Sequence, residues 1–425
     1  MKFGAAAVDL GASSIRSAFG WMQDGRLHWK IDRQVHHSAK EIGGRLFWDI
    51  GLFESFCREA KAKGEGLFES SSFGIDSWAV DHCFVKNGEL LQPPVCYRDP
   101  SHVRKFEELK GSHDFLYQQS GIQLQPFNTV FQLAARFEEN PQLAKADWLL
   151  LPDFLSWRIS GGQMSAEFTN VGSSQLMGLD DQWCQSCFDL TGFQMSNLPI
   201  HHPGHQWGEN VVSVASHDSA SAVAGLNPGP GEAFVILGTW ALIGQIIDAP
   251  RMDGQAGNWT NERAHDGRIR FLRNVNGFYV VNRLHEELKI DVPVHVWLAE
   301  ASDFAEEFDL YDPVFFNPES MVEACRSRMN RTPQSPADWA AAVLGSLATS
   351  VCKSLEVLEV TRFVAGGGGA RCRPLIERIE NKSGLPSRLG PSEASIVGNL
   401  AVQLQHLTGQ PLDEILSQDS VEVGS

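Results

Sequence analysis

Nowhere in these 425 residues does an apolar run approach the roughly 20 needed to cross a bilayer. The chain also lacks a basic excess, and its formal net charge is -17 at pH 7. An acidic surface offers no counterion release to nucleic acid and is repelled by anionic membranes, so both are excluded as partners. An anionic substrate then needs a local pocket of N–H groups or basic side chains. The first residues show no charged-then-apolar leader pattern, and a cytoplasmic location is expected. The eight cysteines, Cys57, Cys83, Cys96, Cys184, Cys187, Cys325, Cys352 and Cys372, form no disulfide framework; they read as reduced, core-filling residues. Cys184-x-x-Cys187 has no second CxxC or His pair beside it, so packing is the expected role. No Gly-Lys-Ser/Thr follows the first glycine turn, which rules out a Walker A loop there, and the residues after Ser14 alternate as a strand, which rules out a dinucleotide fingerprint.

What is present begins at residue 3. An apolar strand over 3–8 runs into Asp9-Leu10-Gly11-Ala12-Ser13-Ser14-Ile15-Arg16. A carboxylate at a strand end can face a cation. Gly11 and Ala12 allow backbone N–H groups to approach an anion, and Ser13, Ser14 and Arg16 add further donors. An ordinary hairpin turn accounts for Gly-Ala-Ser-Ser equally well.

Hydrophobic residues at 43% and charged residues at 20% describe a globular protein, and the length predicts two or three domains. Strand-like segments at 3–8, 17–21, 72–75 and 149–151 alternate with helical patterns at 52–62 and 103–109, which predicts an α/β fold. Gly225-Leu226-Asn227-Pro228-Gly229-Pro230-Gly231 reads as a break, giving domains over 1–227 and 228–425. Beyond it, Ala233–Leu237, Gly238-Thr239 and Trp240–Gly244 repeat the strand, glycine-hydroxyl turn, strand of the opening, although a coincidental Gly-Thr hairpin has the same look. An amphipathic pattern over 338–360 leads to a strand at 362–364, the run Ala365-Gly366-Gly367-Gly368-Gly369-Ala370 and a helix from about Arg373. A strand–glycine–helix junction suits a flat or anionic ligand, and a flexible loop is the plain alternative. Last, Ser216-His217-Asp218-Ser219-Ala220 sets a polar cluster before small residues at helical spacing. Ser216 or Asp218 can be a helix N-cap, or Asp218 can take a proton from a substrate hydroxyl.

Asp9 to Arg16, Gly238-Thr239-Trp240, Asp218 with its neighbours and the glycine run are arranged as in sugar kinases of the FGGY family. Further strings resemble the rhamnulokinase branch of that family. They include Gly74-Ile75-Asp76-Ser77-Trp78, Tyr97-Arg98-Asp99-Pro100, Pro126-Phe127-Asn128-Thr129, Phe168-Thr169-Asn170, Asn317-Pro318-Glu319-Ser320-Met321 and Gly390-Pro391-Ser392-Glu393-Ala394-Ser395 with Gly398-Asn399. The resemblance implies two actin-like, ribonuclease-H-like domains with a catalytic cleft between them. It implies ATP and a ketose as partners, Mg²⁺ as cofactor, and a monomer or homodimer. Asp218 would be the base for the sugar C1 hydroxyl, and Asp9 would hold Mg²⁺ through water. Gly11, Ala12, Ser13, Ser14, Arg16, Gly238, Thr239, Asn282, Gly366 and Gly367 would bind ATP. Trp78, Ala79, His217, Asp218, Ser219 and Asn274 would meet the sugar.

The chain departs from the family at Ala79, where Gly is usual, at Leu237, at Ala370-Arg371 and at Asn261-Glu262-Arg263-Ala264. Asn282 stands where a glutamine is expected. These changes leave open a kinase for a related deoxy-ketose such as L-fuculose, or a non-catalytic sugar or nucleotide sensor on the same scaffold. Retention of Asp9 and Asp218 speaks against the sensor.

Overall fold

In the computed structural model, residues 3–316, 318–418 and 420–423 are described; Asn317 of the Asn317–Met321 string lies outside them. The chain divides into two compact units. One takes in the residues through Asn227, Ile247–Phe271 and the residues from Ala394 on; the other consists of Pro228–Ile246 and Leu272–Glu393. The first boundary between the units follows Asn227, and two later segments, Ile247–Phe271 and the residues from Ala394 on, return to the first unit.

The first unit is built on a mixed sheet. Phe3–Leu10 pairs antiparallel with Ser14–Gln23, which pairs antiparallel with Arg26–His36, while Ser70–Ser77 runs parallel to Phe3–Leu10 on its other side. Both faces of the sheet are covered, and its central strand Phe3–Leu10 carries a single polar residue, Asp9. Ala6, Val8, Leu10, Phe73 and Ile75 face a core completed by helix Ile50–Leu67. Ala5, Ala7 and Ala18 face the opposite way, against helix Ala394–Thr408 through Ile396, Val397 and Leu400. By the two-residue period of a strand, Asp9 lies on the Ala5–Ala7 face and Asp76 on that of Ser72 and Gly74, so both carboxylates point toward the C-terminal helix. A separate apolar cluster around Phe131, Phe168 and Phe188 fills the rest of this unit.

Helix Asp218–Leu226 also lies against Ala394–Thr408. A Cβ on Gly398 would stand 1.8 Å from the Ser221 carbonyl oxygen, and one on Gly225 would stand 2.2 Å from that of Ala394. Gly225 is therefore helical, contrary to its reading as part of the break: its missing side chain serves close helix packing, and the helix ends one residue later with Asn227 at φ 44°.

In the second unit, Glu232–Leu237 pairs antiparallel with the strand that begins at Trp240 and parallel with Arg362–Gly366, which pairs in turn with Ser387–Leu389. The long amphipathic pattern becomes helix Pro336–Leu355, opened by Ser335 and Asp338 in a reciprocal capping box with Pro336 in its first turn. Cys184 and Cys187 bring their sulfurs within 2.7 Å in one turn, and among the described residues no group of three or more His, Cys, Asp and Glu side chains is arranged to hold a metal ion by itself. No described helix is long and apolar enough to cross a membrane.

Candidate active site

Three carboxylates collect at one end of the first unit's sheet. Asp9 and Asp76 are register partners near the carboxyl ends of parallel strands. Ser77 forms a parallel bridge to His217 and donates its amide to the Ser216 carbonyl at 2.9 Å, which places Asp218 beside the same end. Carboxyl ends of parallel strands are where α/β sheets collect ligands.

Each carboxylate is held differently. Asp9, 2% exposed, accepts from Arg16 Nη2 at 2.5 Å and from Ser395 Oγ at 2.8 Å. Asp76 accepts from Asn399 Nδ2 at 2.5 Å through Oδ2, while its buried Oδ1 has no partner among the described residues. Burial first, and then the charge of Asp9, push the Asp76 carboxyl well above the usual carboxylate range. Asp218 is the first residue of its helix, and its Oδ1 accepts the Ser219 amide at 2.6 Å. Burial, followed by the neighbouring charge of Asp9, raises it to about 7 despite the opposing Ser219 amide and Arg270. A carboxylate so destabilised is a ready proton acceptor.

The turn after Asp9 is arranged as an anion cradle. Its carbonyls are tied back: Gly11 N–H donates to Ser14 O at 2.9 Å, His37 N–H to Ser13 O at 3.1 Å, and the His37 Nε2 lies 2.9 Å from Gly11 O. The Ala12 and Ser13 amides have no acceptor among the described residues. Carbonyls turned in with amides left over is the arrangement that backbone anion sites use.

Side chains that the sequence reading passed over surround Asp218. Glu167 accepts from the Thr169 and Asn170 amides, from the Ser216 amide at 3.1 Å and from Ser216 Oγ at 2.7 Å, and so fixes the segment leading to Asp218. Arg270, fully buried, pairs with Glu262 at 2.9 Å and reaches Ser219 Oγ at 2.9 Å. Ser216 is thus bound to Glu167 and caps nothing, and the N-cap position falls to His217, which makes no side-chain cap bond. Glu167 adjoins and Ser395 lies in a family-like string and Glu262 lies in the departing Asn261–Ala264 string, but nothing local marked Arg270.

On the expected sugar side, Ala79 is half-buried, whereas Trp78 is 7% exposed and packs in the core against Trp48, His37 and Phe53. Its indole N–H donates to Asp81 Oδ2 at 2.9 Å, and Trp48 donates to the same oxygen at 2.5 Å. Between them, Val80 sits at φ 72°, and Asp81 N–H closes a tight turn onto Ala79 O at 3.0 Å. A β-branched residue in that region is strained, and such strain clusters at functional loops. Thr129 Oγ1 fixes the strained peptide by donating to Val80 O at 2.9 Å.

The remaining expected residues belong to the second unit. Gly238 N–H donates to Trp240 O at 2.9 Å, as Gly11 does to Ser14, and the Gly238 and Thr239 carbonyls accept the amides of Phe278, Gly277 and Tyr279 at the start of helix Phe278–Glu287. The second turn therefore has the same inverted carbonyls as the first. Thr239 is exposed. The glycine run is an ordered turn and not a loose loop: Gly367 has φ 79°, and a Cβ on Gly369 would stand 2.2 Å from Phe278. Gly366 is buried in its strand, Asn282 is exposed on helix Phe278–Glu287, and Asn274 is half-buried in strand Ile269–Asn276. Among the departures, Arg263 is 1% exposed and bonds Asp181 and the carbonyls of Asn261 and Gly178; Gly172 leaves room for its side chain. Arg371 bonds Ser392 at 2.6 Å.

Residues 71–227 match the N-terminal domain of the FGGY family of carbohydrate kinases. Over 439 residues the chain is 30% identical to a rhamnulokinase of Bacillus subtilis (strain 168), covering 94% of this chain and 89% of that one. Over 437 residues it is 34% identical to a rhamnulokinase of Mannheimia succiniciproducens, covering 95% and 89%. Among solved structures it resembles a gluconate kinase from Lactobacillus acidophilus (TM-score 0.81, 15% identity, covering 100% of this chain and 94% of that one). It also resembles a Plasmodium falciparum glycerol kinase with ADP (TM-score 0.78, 14% identity, 98% and 92%). The fold is the α/β fold of such kinases, with two actin-like, ribonuclease-H-like domains.

Proposed function

Because the chain belongs to the FGGY family of carbohydrate kinases, we propose that it transfers the γ-phosphate of ATP to the C1 hydroxyl of L-rhamnulose, giving L-rhamnulose 1-phosphate and ADP. That it is an ATP-dependent sugar kinase follows from the family; the ketose, the atom phosphorylated and the residue roles are the proposal. The observation that carries the roles is Asp218, a half-buried carboxylate of raised basicity beside the end of the Asp9 and Asp76 strands.

In the reaction, the C1 oxygen forms a bond to the γ-phosphorus as the bond from that phosphorus to the β,γ-bridging oxygen breaks. The hydroxyl proton passes to Asp218, whose Oδ1 is anchored by the Ser219 amide so that Oδ2 faces the substrate. The amides of Ala12 and Ser13 and the Ser13 and Ser14 hydroxyls bind phosphate oxygens. Gly238 and Thr239 serve the second phosphate turn, and Gly366, Gly367 and Asn282 the adenosine. His217, Ser219, Ala79 and Asn274 meet the sugar, with Trp78 supporting Ala79 from the core. Positioning and charge neutralisation of this kind are most of what phosphoryl transfer requires.

Mg²⁺ fits the residues present, because Asp76 Oδ1 is buried with no partner among the described residues and is opposed by the charges of Asp9 and Asp218. Asp9, through water, and Asp76 would hold it. Bound with ATP, the ion neutralises charge on the phosphates. The enzyme would work in the cytoplasm as a monomer or homodimer.

The direct test is ADP release from Mg-ATP against a panel of ketoses: L-rhamnulose should stimulate it most, and stimulation by none of the ketoses would overturn the reading. The pH dependence follows from Asp218. The base works only when deprotonated, and burial holds its protonation near pH 7. The initial rate with subsaturating sugar should therefore rise with pH through about 7 and level off above it; a rate that is flat between pH 5 and 8 would contradict the assignment. At the sugar side, Ala79→Gly removes one methyl beside the strained Val80 turn. The ratio of kcat/KM between L-rhamnulose and L-fuculose should change by roughly 10–200-fold, the range that one methyl group commands in a fitted pocket. An unchanged ratio would place Ala79 away from the sugar.

A further inference from the structure

Arg270 has no ligand role in the reading above, yet its guanidinium is the hub around which His217 and Ser219 are arranged. Nη1 donates to Ser219 Oγ at 2.9 Å, Nη2 lies 3.3 Å from His217 Nδ1 and 2.9 Å from Glu262 Oε2, and Nε donates to the Arg263 carbonyl at 2.9 Å. On the other side of the ring, His217 Nε2 lies 2.9 Å from Ser219 Oγ.

Guanidinium nitrogens only donate, so the ring nitrogen facing Nη2 must be the acceptor. The carboxylates near the ring do not reverse this: Glu262 Oε2 is 3.6 Å from Nδ1 and Asp218 Oδ1 is 3.7 Å from Nε2, both beyond hydrogen-bond reach. Burial first, and the Arg270 charge second, hold the imidazole well below its ordinary pKa, so the ring is neutral. With Nδ1 an acceptor, the single ring proton sits on Nε2 and is donated to Ser219 Oγ. That oxygen then receives two donors, from Arg270 and from His217, which occupy both lone pairs. Its own hydrogen must be donated elsewhere, and it has no acceptor among the described residues. Ser219 is half-buried, so this hydrogen is available to a ligand.

We propose that Arg270 is a positioning residue: it fixes His217 as the Nε2–H tautomer and thereby aims the Ser219 hydroxyl hydrogen at an oxygen acceptor of the sugar. The second half of this statement rests on the sugar-kinase reading; the first half does not. Glu262 keeps the buried guanidinium in place and compensates its charge, as a buried cation requires.

The test uses the full-length protein with ¹⁵N-labelled histidine, and His217→Gln assigns the signal. In the wild type, His217 should show an unprotonated Nδ1 and a protonated Nε2 throughout pH 6–8. Arg270→Lys keeps the charge but cannot span the three side chains. It should give mixed tautomers and raise KM for the ketose about tenfold, as Ser219→Ala should by removing the one hydroxyl. The double variant should be no worse than either single one, because both break the same contact. Should Arg270→Lys not fold, Arg270→Gln with Glu262→Gln, which leaves no unpaired charge, replaces it in each comparison. A wild-type His217 protonated on Nδ1, a tautomer unchanged by the substitution, or additive KM effects would each overturn the proposal. A normal tautomer in a protein that no sugar stimulates would sink the kinase reading while leaving the role of Arg270 standing.

Discussion

Asp218→Asn is expected to lower kcat by about 10²–10⁴-fold, the range a positioned general base supplies, with little change in ketose affinity. The amide is nearly the same shape as the carboxylate and still accepts the Ser219 N–H, so helix Asp218–Leu226 should keep its start. What it loses is the lone pair that takes the proton. The substitution also removes a half-buried charge that Asp9 and Glu262 oppose, so the folded state should be no less stable and the thermal midpoint should stay or rise. Loss of turnover with intact stability and intact sugar binding by calorimetry separates a missing base from a damaged site. Turnover comparable to the wild type would remove Asp218 from the base role.

How far these conclusions were legible in the sequence depended on the range over which each signal acts. The Asp9 strand and its glycine turn, the second turn at Gly238-Thr239 and the start of the Asp218 helix are all local patterns, and each appears where expected. The inverted carbonyls that the two turns share were legible only as small residues. Ser395 reaches Asp9 across 386 positions and Asn399 reaches Asp76 across 323, distances over which no periodicity carries information. Arg270 reads as one of several charged residues in an alternating strand, and only the fold shows that it is buried among Glu262, His217 and Ser219. The Gly225–Gly231 break misled in one respect. Glycine in a helix looks like a breaker until a partner helix is known to press against it.

That helix contact predicts the largest structural effect of a single methyl group. Gly398→Ala would place its Cβ 1.8 Å from the Ser221 carbonyl oxygen, with the backbone of Gly225 also within 2.8 Å. Backbone atoms cannot rotate out of the way as a side chain can, so helix Ala394–Thr408 and helix Asp218–Leu226 must move apart. The stability loss should reach about 3 kcal/mol, the upper part of the range for overpacked cores. Gly66→Ala is the control with the opposite sign. It lies in helix Ile50–Leu67 with open space around its Cβ position, so the change should stabilise by about 0.5–1 kcal/mol. Urea unfolding of the two variants would read both values. The effect of Gly398→Ala should extend to turnover. Helix Ala394–Thr408 carries Ser395 and Asn399, the partners of Asp9 and Asp76, while the displaced helix begins at Asp218. A shift of about 1 Å among reacting groups can cost on the order of 10²-fold in rate. The folded fraction of Gly398→Ala should therefore show a lower kcat even at temperatures where it is fully native. Wild-type stability in Gly398→Ala would mean that the two helices do not meet at these glycines, and wild-type kcat with reduced stability would mean that their contact does not set the positions of the three carboxylates.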